Sequence, residues 1–230
     1  MDSLIDDMQR VDFPLIVSLP RNDPQLARAV IDEGASALKV HLNCHHRASG
    51  TKFGSFAQER HKLEEISSIA RDAKCHMGIM PGAERCATRE ELEILGGLGF
   101  EFFDIYAGDL PAQLLTMSKL RRVLAFGPDY DLEEIRTLKD LGVDALEASI
   151  IPPEGYGLPL TARDLCRYRS LVTASKLPVI VPTQRKITLD DLSLLREAGI
   201  SSLMIGAVVT GVELETLRRS VRAFRIALSE

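Results

Sequence analysis

No stretch of this chain approaches the roughly 20 consecutive apolar residues that span a bilayer, so a membrane partner has no support in the sequence. The opening Met1-Asp2-Ser3-Leu4-Ile5-Asp6-Asp7 is too acidic for a secretory signal, and a cytoplasmic protein is expected. Cysteine is sparse. Cys44, Cys75, Cys86 and Cys166 show no CxxC spacing, and in a reducing compartment they read as free thiols rather than disulfides or a zinc site. A basic stripe is missing too: 28 Lys and Arg are interspersed with 33 Asp and Glu, for a formal net charge of −5, which argues against nucleic acid as a partner. No low-complexity linker divides the 230 residues, so one domain over 1–230 is expected.

What is present is a strand with two unlike faces. Ala37-Leu38-Lys39-Val40-His41-Leu42-Asn43 alternates apolar and polar residues at the period of a strand. Leu38, Val40 and Leu42 would pack under helices, while Lys39, His41 and Asn43 share the opposite side. Glycines that look like helix C-caps, Gly34, Gly99, Gly142 and Gly199, each precede a β-like run. Five residues after them stand Lys39, Asp104, Glu147 and Met204. Two further on stand His41, Tyr106, Ser149 and Gly206. A (β/α)8 TIM barrel builds its interior in layers of four side chains from alternate strands, which is this pattern if the four runs are its even-numbered strands.

Taken in order, residues 2–10 suggest an amphipathic helix plugging the barrel floor, and 13–19 a first strand. Helices are expected at 25–33, 56–73, 111–120, 132–141 and 161–174, with others opening at the capping box Thr88–Glu91, at Thr188 and at Val212. The remaining strands fall at 76–80, 102–106, 122–126, 145–151, 178–181 and 203–205. Residues 44–56 form the longest irregular stretch and leave the carboxyl end of a barrel strand, so they read as a lid with glycine hinges.

Lys39, Asp104 and Glu147 place one cation and two carboxylates in one layer. The structural reading is a buried ion network; the functional reading is a catalytic group, with His41 as a fourth member. With two carboxylates to one ammonium, one acid can keep a proton at neutral pH and serve general acid/base chemistry. The same carboxylates hold Lys39 charged, which disfavours a Schiff base and favours stabilising an enolate or oxyanion. Asn43, Tyr106 and Ser149 are candidate substrate contacts. His41, Cys44, His45 and His46 could be read as metal ligands, but adjacent His45 and His46 cannot easily face one ion; no metal or other cofactor is expected. After the seventh and eighth strands, Thr183, Arg185, Lys186, Gly206, Ala207, Val208 and Thr210 read as a phosphate cradle.

Leu203-Met204-Ile205-Gly206-Ala207-Val208 resembles the eighth-strand motif of the ribulose-phosphate-binding barrels. The layout of Val179 to Gly211 is similar to that of N-acetylmannosamine-6-phosphate epimerases. That resemblance implies a phosphorylated small-molecule ligand. The family's strand-2 arginine corresponds to Lys39 and its strand-4 aspartate to Asp104. Its strand-3 lysine and strand-7 glutamate have no counterpart in Met77-Gly78-Ile79-Met80-Pro81 or Val181-Pro182-Thr183. The expectation is an isomerase, epimerase or lyase moving a proton beside a carbonyl. A divalent-metal enzyme and a non-catalytic phospho-metabolite-binding regulatory barrel are the alternatives, and a homo-oligomer stays open.

Overall fold

The computed structural model describes residues 3–10, 13–83, 85–117 and 119–229. In chain order the elements are α1 (Leu4–Gln9), β1 (Leu15–Ser18), α2 (Pro24–Asp32), β2 (Ala37–His41), β3 (His45–His46), β4 (Thr51–Lys52), α3 (Phe56–Asp72), β5 (His76–Met80), α4 (Arg89–Leu98) and β6 (Phe102–Tyr106). There follow β7 (Arg121–Phe126), α5 (Leu132–Thr137), β8 (Ala145–Ala148), α6 (Ala162–Ser175), β9 (Val179–Pro182), α7 (Asp191–Glu197), β10 (Ser202–Ile205), α8 (Ala207–Thr210) and α9 (Leu214–Ser229). Eight of the strands pair in parallel and close in the order β1-β10-β9-β8-β7-β6-β5-β2, a (β/α)8 barrel.

The register follows from local rules. Gly34, Gly99, Gly142 and Gly199 all have positive φ, the left-handed turn that ends each helix and starts each next strand at a fixed offset. Along β2, Leu38 and Val40 lie beneath the helical layer and are 0 and 1% exposed. Fully burying such a side chain contributes about 1.5–3 kcal/mol. The barrel floor is a second apolar cluster in which Leu4, Ile5 and Met8 of α1 meet Ile16, Ala37, Phe102, Val123, Ala145, Ile180 and Met204. A Ser3–Asp6 capping box starts α1, so the expected plug forms; Asp2 of the 2–10 segment lies outside the described residues.

Two connections depart from expectation. The helix expected over 111–120 is replaced by a 3₁₀ turn over Ala112–Thr116, with Ser118 outside the described residues. An α-helix would direct the Met117 N–H to the Gln113 carbonyl. Arg89 and Thr116 Oγ1 occupy that carbonyl instead, and Met117 bonds Leu114 at 3.1 Å. The 44–56 stretch is a β3–β4 hairpin rather than an irregular loop. Its stem is closed by Phe53 N–H to Cys44 O at 2.8 Å and Asn43 N–H to Gly54 O at 2.9 Å.

Candidate functional site

The even-numbered barrel strands, β2, β6 and β8, bring Lys39, Asp104 and Glu147 together inside the barrel. Lys39 Nζ lies 2.7 Å from Asp104 Oδ2 and 2.6 Å from Glu147 Oε2, and all three side chains are at most 8% exposed. Burial opposes the lysine's charge, but the two carboxylates outweigh it and raise its pKa, so it is an ammonium. One cation can balance one anion here. Burial, reinforced by the neighbouring Glu147, holds the Asp104 carboxyl well above its usual range, so it keeps its proton. Burial also works against charge on Glu147, yet Lys39 and the hydrogen bonds from Lys39 and the Ser149 hydroxyl prevail and bring it down to about 2. The layer therefore holds an acid, a carboxylate and an ammonium in mutual contact.

Lys39 and Glu147 line a cavity of about 710 Å³ at the carboxyl ends of the strands, the face on which barrels of this fold carry their sites. Asp104 lies beneath it at 1% exposure, and Ser149 is a buried support of Glu147. His41 lies above the triad, its ring 4.7 Å from the rings of both His46 and Phe53. The hairpin thus covers this part of the mouth. Burial, with the His46 ring and the positive Lys39 nearby, lowers the pKa of His41 well below that of a free histidine, and its Nδ1 has no hydrogen-bond partner among the described residues. It is a neutral imidazole. Burial likewise lowers His46 to about 4 and pushes the Cys44 thiol up to about 11. Tyr106 is 37% exposed and lines the cavity, its phenol pushed up to about 12 by burial and by the charge of Glu147.

The expected phosphate cradle is assembled only in part. Thr183, Gly206 and Val208 line a second, smaller cavity of about 70 Å³ with Ser18 and Gln184. The Gly206 N–H is already satisfied by Thr183 Oγ1 at 2.9 Å. Arg185 points elsewhere: its guanidinium holds the Asp164 carboxylate at 2.9 and 3.2 Å and the Gly155 carbonyl at 3.1 Å, because a buried carboxylate on α6 demands a cationic partner. Lys186 is exposed, and Thr210 Oγ1 donates to the Gly211 carbonyl. Neither Lys186, Thr210 nor Ala207 lines the small cavity. Asn43 is also displaced from its expected role. With φ of 48° it turns the chain out of β2 and donates to the Pro81 carbonyl at 3.3 Å, a conformation Asn tolerates better than most residues.

Sequence reasoning passed over Gln184 and Tyr156. Gln184 is buried, accepts from the Ile151 N–H and donates to Ser149 O and to Tyr156 Oη at 2.8 Å. Tyr156 lines both cavities, as does Ala48 of the hairpin, so the two spaces adjoin. The signal for Gln184 was its place beside Thr183; nothing local marked Tyr156. Among the described residues no three His, Cys, Asp or Glu side chains converge as a metal-binding group, so the alternative metal reading of His41, Cys44, His45 and His46 gains no support.

The fate of Arg185 has a measurable consequence. Arg185→Met should strand the Asp164 carboxylate and destabilise the fold by about 1–3 kcal/mol while leaving sulfate or phosphate affinity unchanged. Urea unfolding with anion titration checks this; lost anion affinity at unchanged stability would put Arg185 back in the cradle.

No protein-family model matches the chain, and no curated protein sequence is similar enough to count as a relative. Solved structures do match. A thiamine phosphate pyrophosphorylase from Pyrococcus furiosus superposes with a TM-score of 0.70 at 16% identity, over 96% of this chain and 98% of that one. A Mycobacterium tuberculosis tryptophan synthase gives 0.73 at 14% identity, over 99% of each chain. A structure described as native KDPGal gives 0.64 at 18%, over 94% of each. At such identities the likeness establishes the barrel fold alone. None of the three is an N-acetylmannosamine-6-phosphate epimerase, so that narrower resemblance rests on the residues around strand 8. Among the described residues no helix is long and apolar enough to cross a membrane.

Proposed function

We propose that this barrel is an enzyme acting on a small phosphorylated metabolite by proton transfer at a carbon beside a carbonyl, as an isomerase, epimerase or lyase. The observation that carries the reading is the buried triad at the base of the large cavity. Glu147, ionised and lining that space, is the candidate base. Lys39, also lining it and held charged, stabilises the enolate oxygen that develops as the proton leaves. Asp104 stays protonated below and takes no part in the transfer, so Glu147 and Lys39 remain a charge-balanced pair and the proton that Glu147 takes is the one it returns to the product or to water. His41 and Tyr106 complete the wall around the reacting carbon, and the phosphate occupies the small adjoining cavity beside Thr183, Gly206 and Val208. Barrels of similar shape include proteins whose names carry a phosphate ester, which fits this reading.

A panel of phosphosugars and their unphosphorylated counterparts, screened by thermal shift, tests the ligand class. A ligand at about 100 times its dissociation constant adds roughly 2.7 kcal/mol of stability. Phosphorylated compounds should raise the melting point and then exchange a carbon-bound proton for solvent deuterium, followed by NMR. A shift produced only by the unphosphorylated partners would remove the phosphate from the proposal. A second reading, a binding barrel without turnover, draws on the ion pairing inside the triad: the Lys39 ammonium is already held by both carboxyl groups. Tight binding with no deuterium uptake would select it.

A further inference from the structure

At the opposite end of the barrel, His76 opens β5 and is 6% exposed. Both of its ring nitrogens face carboxylates. Nδ1 lies 2.7 and 2.9 Å from the two oxygens of Glu101, just ahead of β6, and Nε2 lies 3.0 Å from Asp7 Oδ2 on α1. A neutral imidazole has a single N–H, so in that form one nitrogen would turn a lone pair toward an anion. Both contacts are attractive only when the ring is an imidazolium. Glu101 reaches α1 a second time, accepting the Leu4 N–H at 3.2 Å. The helix that plugs the floor is therefore fastened to the sheet through one ion pair and one carboxylate.

We propose that His76 is a proton-operated latch: protonated, it bolts α1 across the barrel floor, and deprotonation loosens α1 so that the apolar cluster beneath is exposed more often. The groups facing the ring are Asp7 from α1 and Glu101 from the approach to β6. Around the adjoining cavity of about 780 Å³ stand Lys74 and the Cys75 thiol before β5 and Arg225 of α9. Asp6, the other acid of α1 near this end, sits 3.9 Å from Arg121. The cations line the cavity rather than contact the ring, so the carboxylates dominate. Burial opposes the charge on His76, but Glu101 and Asp7 more than offset it and raise its pKa above 6.5. A raised pKa means the latch contributes fully below about 6.5 and is lost as the pH climbs through the folded value. Because α1 covers the floor rather than the catalytic end, its release changes surface and local stability without touching Lys39 or Glu147.

Hydrogen exchange on the full chain tests this. Protection factors of the α1 amides, corrected for intrinsic exchange, should fall as the pH rises from about 6 to 9, by roughly tenfold for each unit by which the histidine pKa is raised, while those of α3 stay level. His76→Gln should leave α1 weakly protected and independent of pH. Should that variant fail to fold, Asp7→Asn keeps the His76–Glu101 pair and should loosen α1 at pH 6 and reduce, without abolishing, its pH dependence. Protection of α1 that is flat across this range in the unmodified protein overturns the proposal. So does an NMR titration placing His76 at or below 6.5, or a variant that keeps the original pH profile.

Discussion

Lys39→Met should cost about 3–5 kcal/mol of stability, because it removes the ammonium that bridges two buried carboxyl groups and leaves the Glu147 charge without its ion-pair partner. The pH dependence should change as well. In the intact protein Glu147, at about 2 against 4.5 for a free carboxyl, contributes stability that is fully present above 4.5 and drains away as the pH falls toward 2. Asp104 slopes the other way: its raised pKa contributes below 3.8, and that contribution is lost as the pH climbs through the folded value. Without the ammonium both carboxyls are raised by burial. Both then favour acid, so the variant should be more stable near pH 4 than near pH 7. Urea unfolding across this range decides the matter. A change under about 0.5 kcal/mol, with the original pH slope intact, would make Lys39 an ordinary surface-like charge and remove the basis of the proposed chemistry.

The second large effect concerns Gly78 on β5. A Cβ there would lie 2.1 Å from two ring carbons of Phe102, which fills the barrel at that level. Real contacts never approach so closely, and the ring is packed in the apolar floor cluster that α1 closes from below. Gly78→Ala should therefore exceed the usual 1–3 kcal/mol of overpacking and verge on abolishing the fold. Phe102→Leu in the same chain should recover much of the loss, since it frees the ring's volume. A double-mutant cycle that proves additive would show that the two sites do not share this space.

The four cap glycines carried most of what could be read in advance. A left-handed glycine ends a helix, the loop after it is short, and the strand begins at a fixed distance, so Lys39, Asp104 and Glu147 could be set in one layer from spacing alone. Where a feature depended on contacts far apart in the chain, spacing was silent. Arg185 looked free beside Thr183 because Asp164, some twenty residues earlier, showed no sign of being buried. The 3₁₀ turn in place of a helix before β7 depends on Arg89 reaching across from α4. His76 was visible only as the first residue of a strand, since its two carboxylates come from Asp7 and Glu101, on either side of it in sequence. The hairpin over the mouth escaped notice because two-residue strands carry no period.

Raised proton affinity at two buried sites alters how the whole molecule behaves in an electric field. The formal charge of −5 at pH 7 counts Asp104 as ionised and every histidine as neutral. Because both Asp104 and His76 hold their protons more tightly than free side chains do, the folded protein is less negative than that count. At pH 7 it should therefore migrate more slowly toward the anode than a folded protein of the same size that carries the full count.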